Sequence, residues 1–142
     1  MKNKLNKKTA KPTISLNILL AEDSPTNQLV AKLMLERRGH KVTISNHGEE
    51  AISKLLQCHK SFDLVLMDIS MPVLDGLEAT KYIRKLNIDT PIVALTANAM
   101  QSDQFLYNQA GMNGFLAKPI RPEELDLMLI KYQDLKQEPK HQ

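Results

Sequence analysis

The sequence predicts a single doubly wound α/β domain, a parallel sheet with helices on both faces. Two observations carry the prediction. Short apolar runs, "NILLA", "KVTIS", "DLVLM", "PIVAL" and "GFLA", alternate with longer amphipathic segments from about Asn17 onward, and that alternation implies right-handed βαβ crossovers. The central runs also lack polar alternation, as strands buried on both faces do. With 142 residues the chain is long enough for one real core and too short for two ordinary domains.

The elements follow in order. "NILLA" reads as a strand because it is brief, partly β-branched and flanked by polar residues. The first helix has Pro25 for its first turn and Gly39 for its end. Its apolar residues at helical spacing, Leu29, Val30, Leu33 and Met34, form the expected buried stripe, with Lys32, Glu36 and Arg37 facing water. After "KVTIS", a second helix runs roughly from Glu49 to Cys58. "DLVLM" leads to a third, from about Gly76 to Leu86, with Asp75 placed to cap it. "PIVAL" precedes a helix from roughly Gln101 to Ala110 that stops at Gly111. "GFLA" precedes the last, from near Pro122 to about Lys136, with Leu125, Met128, Leu129 and Tyr132 as its inner stripe.

Composition narrows the function. Apolar residues make up 42% and charged residues 25%, a globular balance. Six aromatic residues (three Phe, three Tyr) and no Trp require an aliphatic core. A single cysteine, Cys58, excludes a disulfide framework and CxxC zinc clusters, and fits a reducing compartment. The net charge of +3 is a property of the start of the chain: Lys2, Lys4, Lys7, Lys8 and Lys11 all lie there, and setting those five aside from the 19 basic residues leaves 14 against 16 acidic. The expected organisation is a basic, solvated tail over 1–15, one domain over 16–136 and a polar tail over 137–142. No nucleic acid is expected to bind through the domain itself. The run "ISLNILLA" is too short and too interrupted for a signal peptide, and it meets Glu22 and Asp23 where a cleavage site would stand. No run approaches the length of a membrane span, so a cytoplasmic protein is expected. The closing "QEPKHQ" is too short for an output domain, so output is expected through a protein contact, an onward relay or another chain. His40, His47, His59 and His141 show no ligand spacing and are expected at solvent or turn positions.

In an open α/β sheet, ligands bind beyond the carboxyl ends of the strands. At that end the first strand delivers Glu22 and Asp23, the third Asp68, the fourth Thr96 and the fifth Lys118. Singly, each has a structural reading: Asp23 as a helix cap, Thr96 as β-branched filler, Lys118 as a surface lysine. Together they bring three carboxylates, a hydroxyl and an ammonium to one rim. Crowded carboxylates repel unless neutralised, and Mg²⁺ favours one or two carboxylates, waters and a phosphate oxygen. Lys118 and Thr96 suit the remaining phosphoryl oxygens. The set fits a phosphoryl group carried on a carboxylate, with Asp68 as the nucleophile.

These residues resemble the receiver domain of two-component response regulators, over about Asn17 to Leu135. "LLAEDSPTNQ" resembles its acidic turn, "LVLMDISMPVLDGLEATKYIR" its phosphoacceptor strand, loop and helix, "PIVALTANAM" its switch-threonine strand and "GFLAKPI" its lysine-proline ending. The wording is most similar to receivers of hybrid sensor kinases. The resemblance implies the flavodoxin-like strand order 2-1-3-4-5, which a general rule for this fold attaches to a member of the family. It implies that Asp68 accepts a phosphoryl group from a phosphohistidine of a sensor histidine kinase or a histidine phosphotransfer domain. It implies Mg²⁺, with Mn²⁺ as substitute, held by Asp23, Asp68 and the Ser70 backbone carbonyl, with Glu22 acting through water. Thr96 and Lys118 would bind phosphoryl oxygens, Phe115 would turn inward as Thr96 moves, and Ser70 and Asn98 would tune the lifetime of the acyl phosphate. A small residue, Ala97, stands beside the pocket. The chain would be a signalling phosphoacceptor, not an enzyme in its own right, and its phosphorylation could drive dimerisation. Glu22 departs from the aspartate many members carry there, which leaves open the reach to the metal.

Three rival readings each meet a specific objection. An aspartyl-nucleophile phosphatase wants a carboxylate two residues after the nucleophile, where Ser70 stands. A nucleotide or flavin binder wants a glycine-rich loop where "AEDSPTN" stands. A degenerate receiver used only for docking conflicts with the intact Asp23, Asp68, Thr96 and Lys118. Met71-Pro72 and Asp75-Gly76 have structural readings, stiffening the loop, turning the chain and starting the helix, and so shaping the site without doing chemistry.

Overall fold

A computed structural model describes residues 14–97 and 100–138. Five parallel strands form one sheet in the order β2-β1-β3-β4-β5. They are β1 (Asn17–Ala21), β2 (Lys41–Ser45), β3 (Leu64–Asp68), β4 (Ile92–Thr96) and β5 (Gly114–Ala117). The helices are α1 (Pro25–Arg37), α2 (Gly48–Cys58), α3 (Gly76–Lys85), α4 (Gln101–Ala110) and α5 (Pro122–Gln137), with a short 3₁₀ turn at His59–Ser61. The doubly wound class and the strand order are both as expected.

Burial follows strand position. Every residue of β3 and β4 is buried, whereas edge strands β2 and β5 alternate with exposed residues. Alternate residues feed two aliphatic layers. Ile18, Leu20, Leu64, Leu66, Val93 and Leu95 pack against Ala31 and Leu35 of α1 and Leu125, Leu129 and Tyr132 of α5. Leu19, Val65, Met67, Ile92 and Ala94 pack on the other face against α2, α3 and Tyr107 of α4. Each fully buried Leu or Ile contributes about 1.5–3 kcal/mol.

The α5 stripe forms as expected, with Met128 at its margin. The α1 stripe does not: Leu29, Val30 and Leu33 are 57%, 50% and 44% exposed, while Ala31 and Leu35 point inward beside a half-buried Met34. The phase of α1 is set at its start. Ser24 caps it, and the Gln28 amide donates to the Glu22 carbonyl at 2.6 Å and to Asn46 Oδ1 at 2.9 Å. Those bonds turn Gln28, Ala31 and Leu35 toward the sheet and the three larger residues away from it.

The histidine expectation also fails at one position. His40 is 4% exposed, and its Nδ1 accepts the Leu16 backbone N–H at 3.0 Å. A backbone donor ahead of β1 needs a buried acceptor, and the ring supplies it. His47 does sit in a turn, capping α2 by accepting the Glu50 N–H at 3.2 Å, and His59 opens the 3₁₀ turn. His141 lies outside the described residues, as do the five lysines of the expected basic tail. Ile14 and Ser15, assigned to that tail, are tied to α5 through Gln133 and Lys136.

Candidate functional site

Register places the site. Ala21 pairs with Met67, so Glu22, the next residue, is level with Asp68 and points to the same face. Lys118 follows Ala117, the partner of Thr96, and shares that face too. The three side chains meet: Lys118 Nζ lies 3.1 Å from Asp68 Oδ1 and 3.8 Å from Glu22 Oε1. Asp68 and Glu22 are 2% and 1% exposed. Asp23 is exposed at the mouth, and one carboxylate oxygen from each of Glu22, Asp23 and Asp68 lies within 4.8 Å of the others.

Local structure holds each acid in place. The Ser24 N–H donates to Glu22 Oε2 at 3.1 Å, and the Ser70 N–H donates to Asp68 Oδ1 at 3.1 Å. Met71 is buried and anchors the loop after β3 in the core. Asp75 caps α3 through the Glu78 N–H at 2.9 Å. Gly76 lies so close under the Asp68 carbonyl that a Cβ would collide with it, so the Asp75-Gly76 pair shapes the site as well as starting the helix. The same loop carries Val73 at φ 71°, 95% exposed, with the Leu74 N–H donating back to the Pro72 carbonyl at 2.8 Å.

The charges do not balance. Three carboxylates face one ammonium. Burial raises the Glu22 carboxyl above its ordinary 4.5 and Asp68 adds to the rise, while the Ser24 N–H and Lys118 oppose it. An all-oxygen, multiply anionic donor set suits a hard divalent cation. Glu22, Asp23 and Asp68 can hold one, on the chemistry of the donors themselves.

Thr96 and Phe115 face the other side of the sheet from that cluster, although the Thr96 carbonyl accepts the Lys118 backbone N–H at 2.8 Å. Thr96 shares the face of Ala94, and its Oγ1 lies 2.8 Å from the Tyr107 hydroxyl, both residues being buried. Phe115 pairs with Ala94 on β5 and is 37% exposed. Asn98 lies outside the described residues. Sequence reasoning gave no role to Gln28 or Tyr107; it did give Asp75-Gly76 a part in shaping the site, and the approach of Gly76 to Asp68 supplies the reason.

Comparison with known proteins agrees with this geometry. The sequence model of the response regulator receiver domain matches residues 18–130. Histidine kinase 1 of Arabidopsis thaliana is 40% identical over 82% of the chain, which spans only 12% of that protein's length. The receiver domain of a Pseudomonas aeruginosa sensor histidine kinase, solved with magnesium coordinated in its active-site cleft, is 42% identical at a TM-score of 0.75, covering 84% of this chain and 98% of that one. A Saccharomyces cerevisiae response regulator receiver, solved with a histidine phosphotransfer signalling protein, is 27% identical at a TM-score of 0.79, covering 89% and 94%. Rim, sheet order and sequence match point the same way: the chain belongs to the receiver-domain family of response regulators.

Proposed function

We propose that this receiver takes a phosphoryl group onto Asp68 from a phosphohistidine of a histidine kinase or a histidine phosphotransfer protein. An oxygen of the Asp68 carboxylate forms a P–O bond as the donor's P–N bond breaks, and the departing imidazole nitrogen takes a proton. Lys118, 3.1 Å from Asp68 Oδ1, neutralises a phosphoryl oxygen carried there, and the Thr96 hydroxyl donates to another. Glu22, Asp23, Asp68 and the Ser70 carbonyl would hold Mg²⁺, or Mn²⁺ in its place; the bound ion supplies charge neutralisation to the phosphoryl oxygens. Ser70 and Asn98, two residues beyond Asp68 and Thr96 in the sequence, set how readily water reaches the acyl phosphate.

The donor docks on the exposed apolar face of α1. Leu29, Val30 and Leu33 are large, exposed and unneeded by the core, and Val30 lines a cleft that continues to Glu22 and Lys118. Output runs through the opposite edge, where Phe105, Leu106 and Phe115 expose 63%, 52% and 37% of their surface. That face changes as Thr96 and Phe115 move, and it is where a phosphorylation-dependent dimer would form.

The observation that carries the reading is a buried aspartate held between one ammonium and two further carboxylates. The test is phosphotransfer from a labelled phosphotransfer protein. Label is expected on the unsubstituted chain with Mg²⁺, and none with Asp68→Asn or after chelation. Retained label on Asp68→Asn overturns the assignment.

A further inference from the structure

The hydroxyl that Thr96 must offer to a phosphoryl oxygen is already engaged. Its Oγ1 lies 2.8 Å from Tyr107 Oη, with Thr96 and Tyr107 only 3% and 6% exposed. Register separates this pair from the acid cluster. Asp68 pairs with Leu95, so Asp68 shares a face with Glu22 and Lys118, and Thr96 falls on the other one, which α4 covers. The Tyr107 ring is fixed there, in the same buried layer as Ile83, Ile88, Ala94 and Met112. No motif of the sequence points to Tyr107, which stands eleven residues from Thr96 on a separate element.

We propose that Tyr107 is a positioning residue that holds the Thr96 hydroxyl off the acceptor site and so sets the threshold for adopting the phosphorylated conformation. The proposal rests on the reading of Thr96 as a phosphoryl-oxygen ligand. Either hydroxyl can donate in the Thr96–Tyr107 pair, but the pair lies on the face opposite Asp68, so Thr96 must swing its Oγ1 across the sheet edge, away from the phenol, to serve a phosphoryl oxygen. Doing so breaks a buried hydrogen bond to the phenol, and the phosphorylated state carries that loss. Phenylalanine keeps the ring and removes the bond. In the Tyr107→Phe variant the phenol no longer holds the hydroxyl back, and the active arrangement is reached more easily. The same bond links the site to α4, whose outer surface carries Phe105 and Leu106.

Beryllofluoride binding to the Mg²⁺-loaded protein tests this, because the mimic needs the Thr96 hydroxyl but no donor protein. Tyr107→Phe is expected to lower the half-saturating beryllofluoride concentration by about five- to tenfold, the worth of one buried hydrogen bond. Unchanged or weaker binding overturns the proposal. The gain must disappear in a Thr96→Ala background; a gain that persists there means the ring acts through packing, and the proposal falls. In the unsubstituted protein the Tyr107 Cζ carbon-13 resonance is expected to shift on beryllofluoride addition, and a stationary resonance overturns the proposal without any variant. Thr96→Ala alone separates the two readings. If it binds beryllofluoride as tightly as the parent, the assigned role of Thr96 is at fault and not the Tyr107 bond.

Discussion

The two ends of the sheet treat buried polar groups in opposite ways. At the amino end each is matched to partners within the chain. Arg84 donates to the carbonyls of Gly111, Ile88 and Thr90 and to Asn113 Oδ1, which also accepts the Ile92 N–H. Asp63 accepts the Asn17 N–H and the Lys136 ammonium, and His40 accepts the Leu16 N–H. At the carboxyl end, three carboxylates share one lysine. Backbone strain divides the same way. The amino end puts an asparagine, Asn87, at φ 61°, where that residue type is tolerated, whereas the carboxyl-end loop puts the β-branched Val73 at φ 71°. A satisfied network holds the fold together. An unbalanced and strained one is what the proposed metal and phosphoryl group would complete.

The largest effect is expected from Arg84→Met at the amino end. It takes the guanidinium from three backbone carbonyls and from Asn113 Oδ1, which keeps only the Ile92 N–H, and should cost about 3 kcal/mol in urea denaturation, while the folded fraction still binds Mg²⁺ normally. At the other end, Glu22→Gln should do the reverse. Removing a buried charge from the crowded rim raises metal-free stability by about 1 kcal/mol and weakens Mg²⁺ binding about tenfold, read by denaturation and by metal titration. A loss of metal-free stability on Glu22→Gln would mean that the rim is as self-sufficient as the amino end.

A smaller effect comes from acid. Burial first, then Arg38 and Lys136, hold the His40 imidazole below its ordinary 6.5. The unfolded chain therefore takes up this proton more readily than the folded one, so the stability His40 contributes is full above pH 6.5 and falls as the pH drops below it. His40→Asn, which keeps an acceptor and removes the titration, should flatten that part of the stability profile. Smallest is the strain contrast. Val73→Gly should gain roughly 0.5–1 kcal/mol, after allowing for the entropy glycine loses on folding, and Asn87→Val should lose about 1 kcal/mol. Equal responses at the two positions would remove strain from the comparison.

Much of the site was legible because of where its residues stand. Glu22, Asp23, Asp68 and Lys118 each come directly at or after the end of an apolar run, and a parallel sheet delivers all such ends to one edge. The α1 stripe was misread because spacing fixes a period but not a phase. Leu29, Val30 and Leu33 satisfy helical periodicity, and so do Gln28, Ala31 and Leu35. Two hydrogen bonds from Gln28 across the chain chose between them. His40 was misread for a related reason, since its partner Leu16 stands 24 residues away and nothing local marks the pair.

The sheet, the alternation of helices and the identity of the acidic rim are written locally in the chain, because periodicity, end signals and residue type are local quantities. Tertiary structure alone decided which face α1 shows to water, that Asp68 lies within hydrogen-bonding reach of Lys118, and that Thr96 is held by Tyr107. Those depend on distances between elements far apart along the chain, and only the packed sheet sets them.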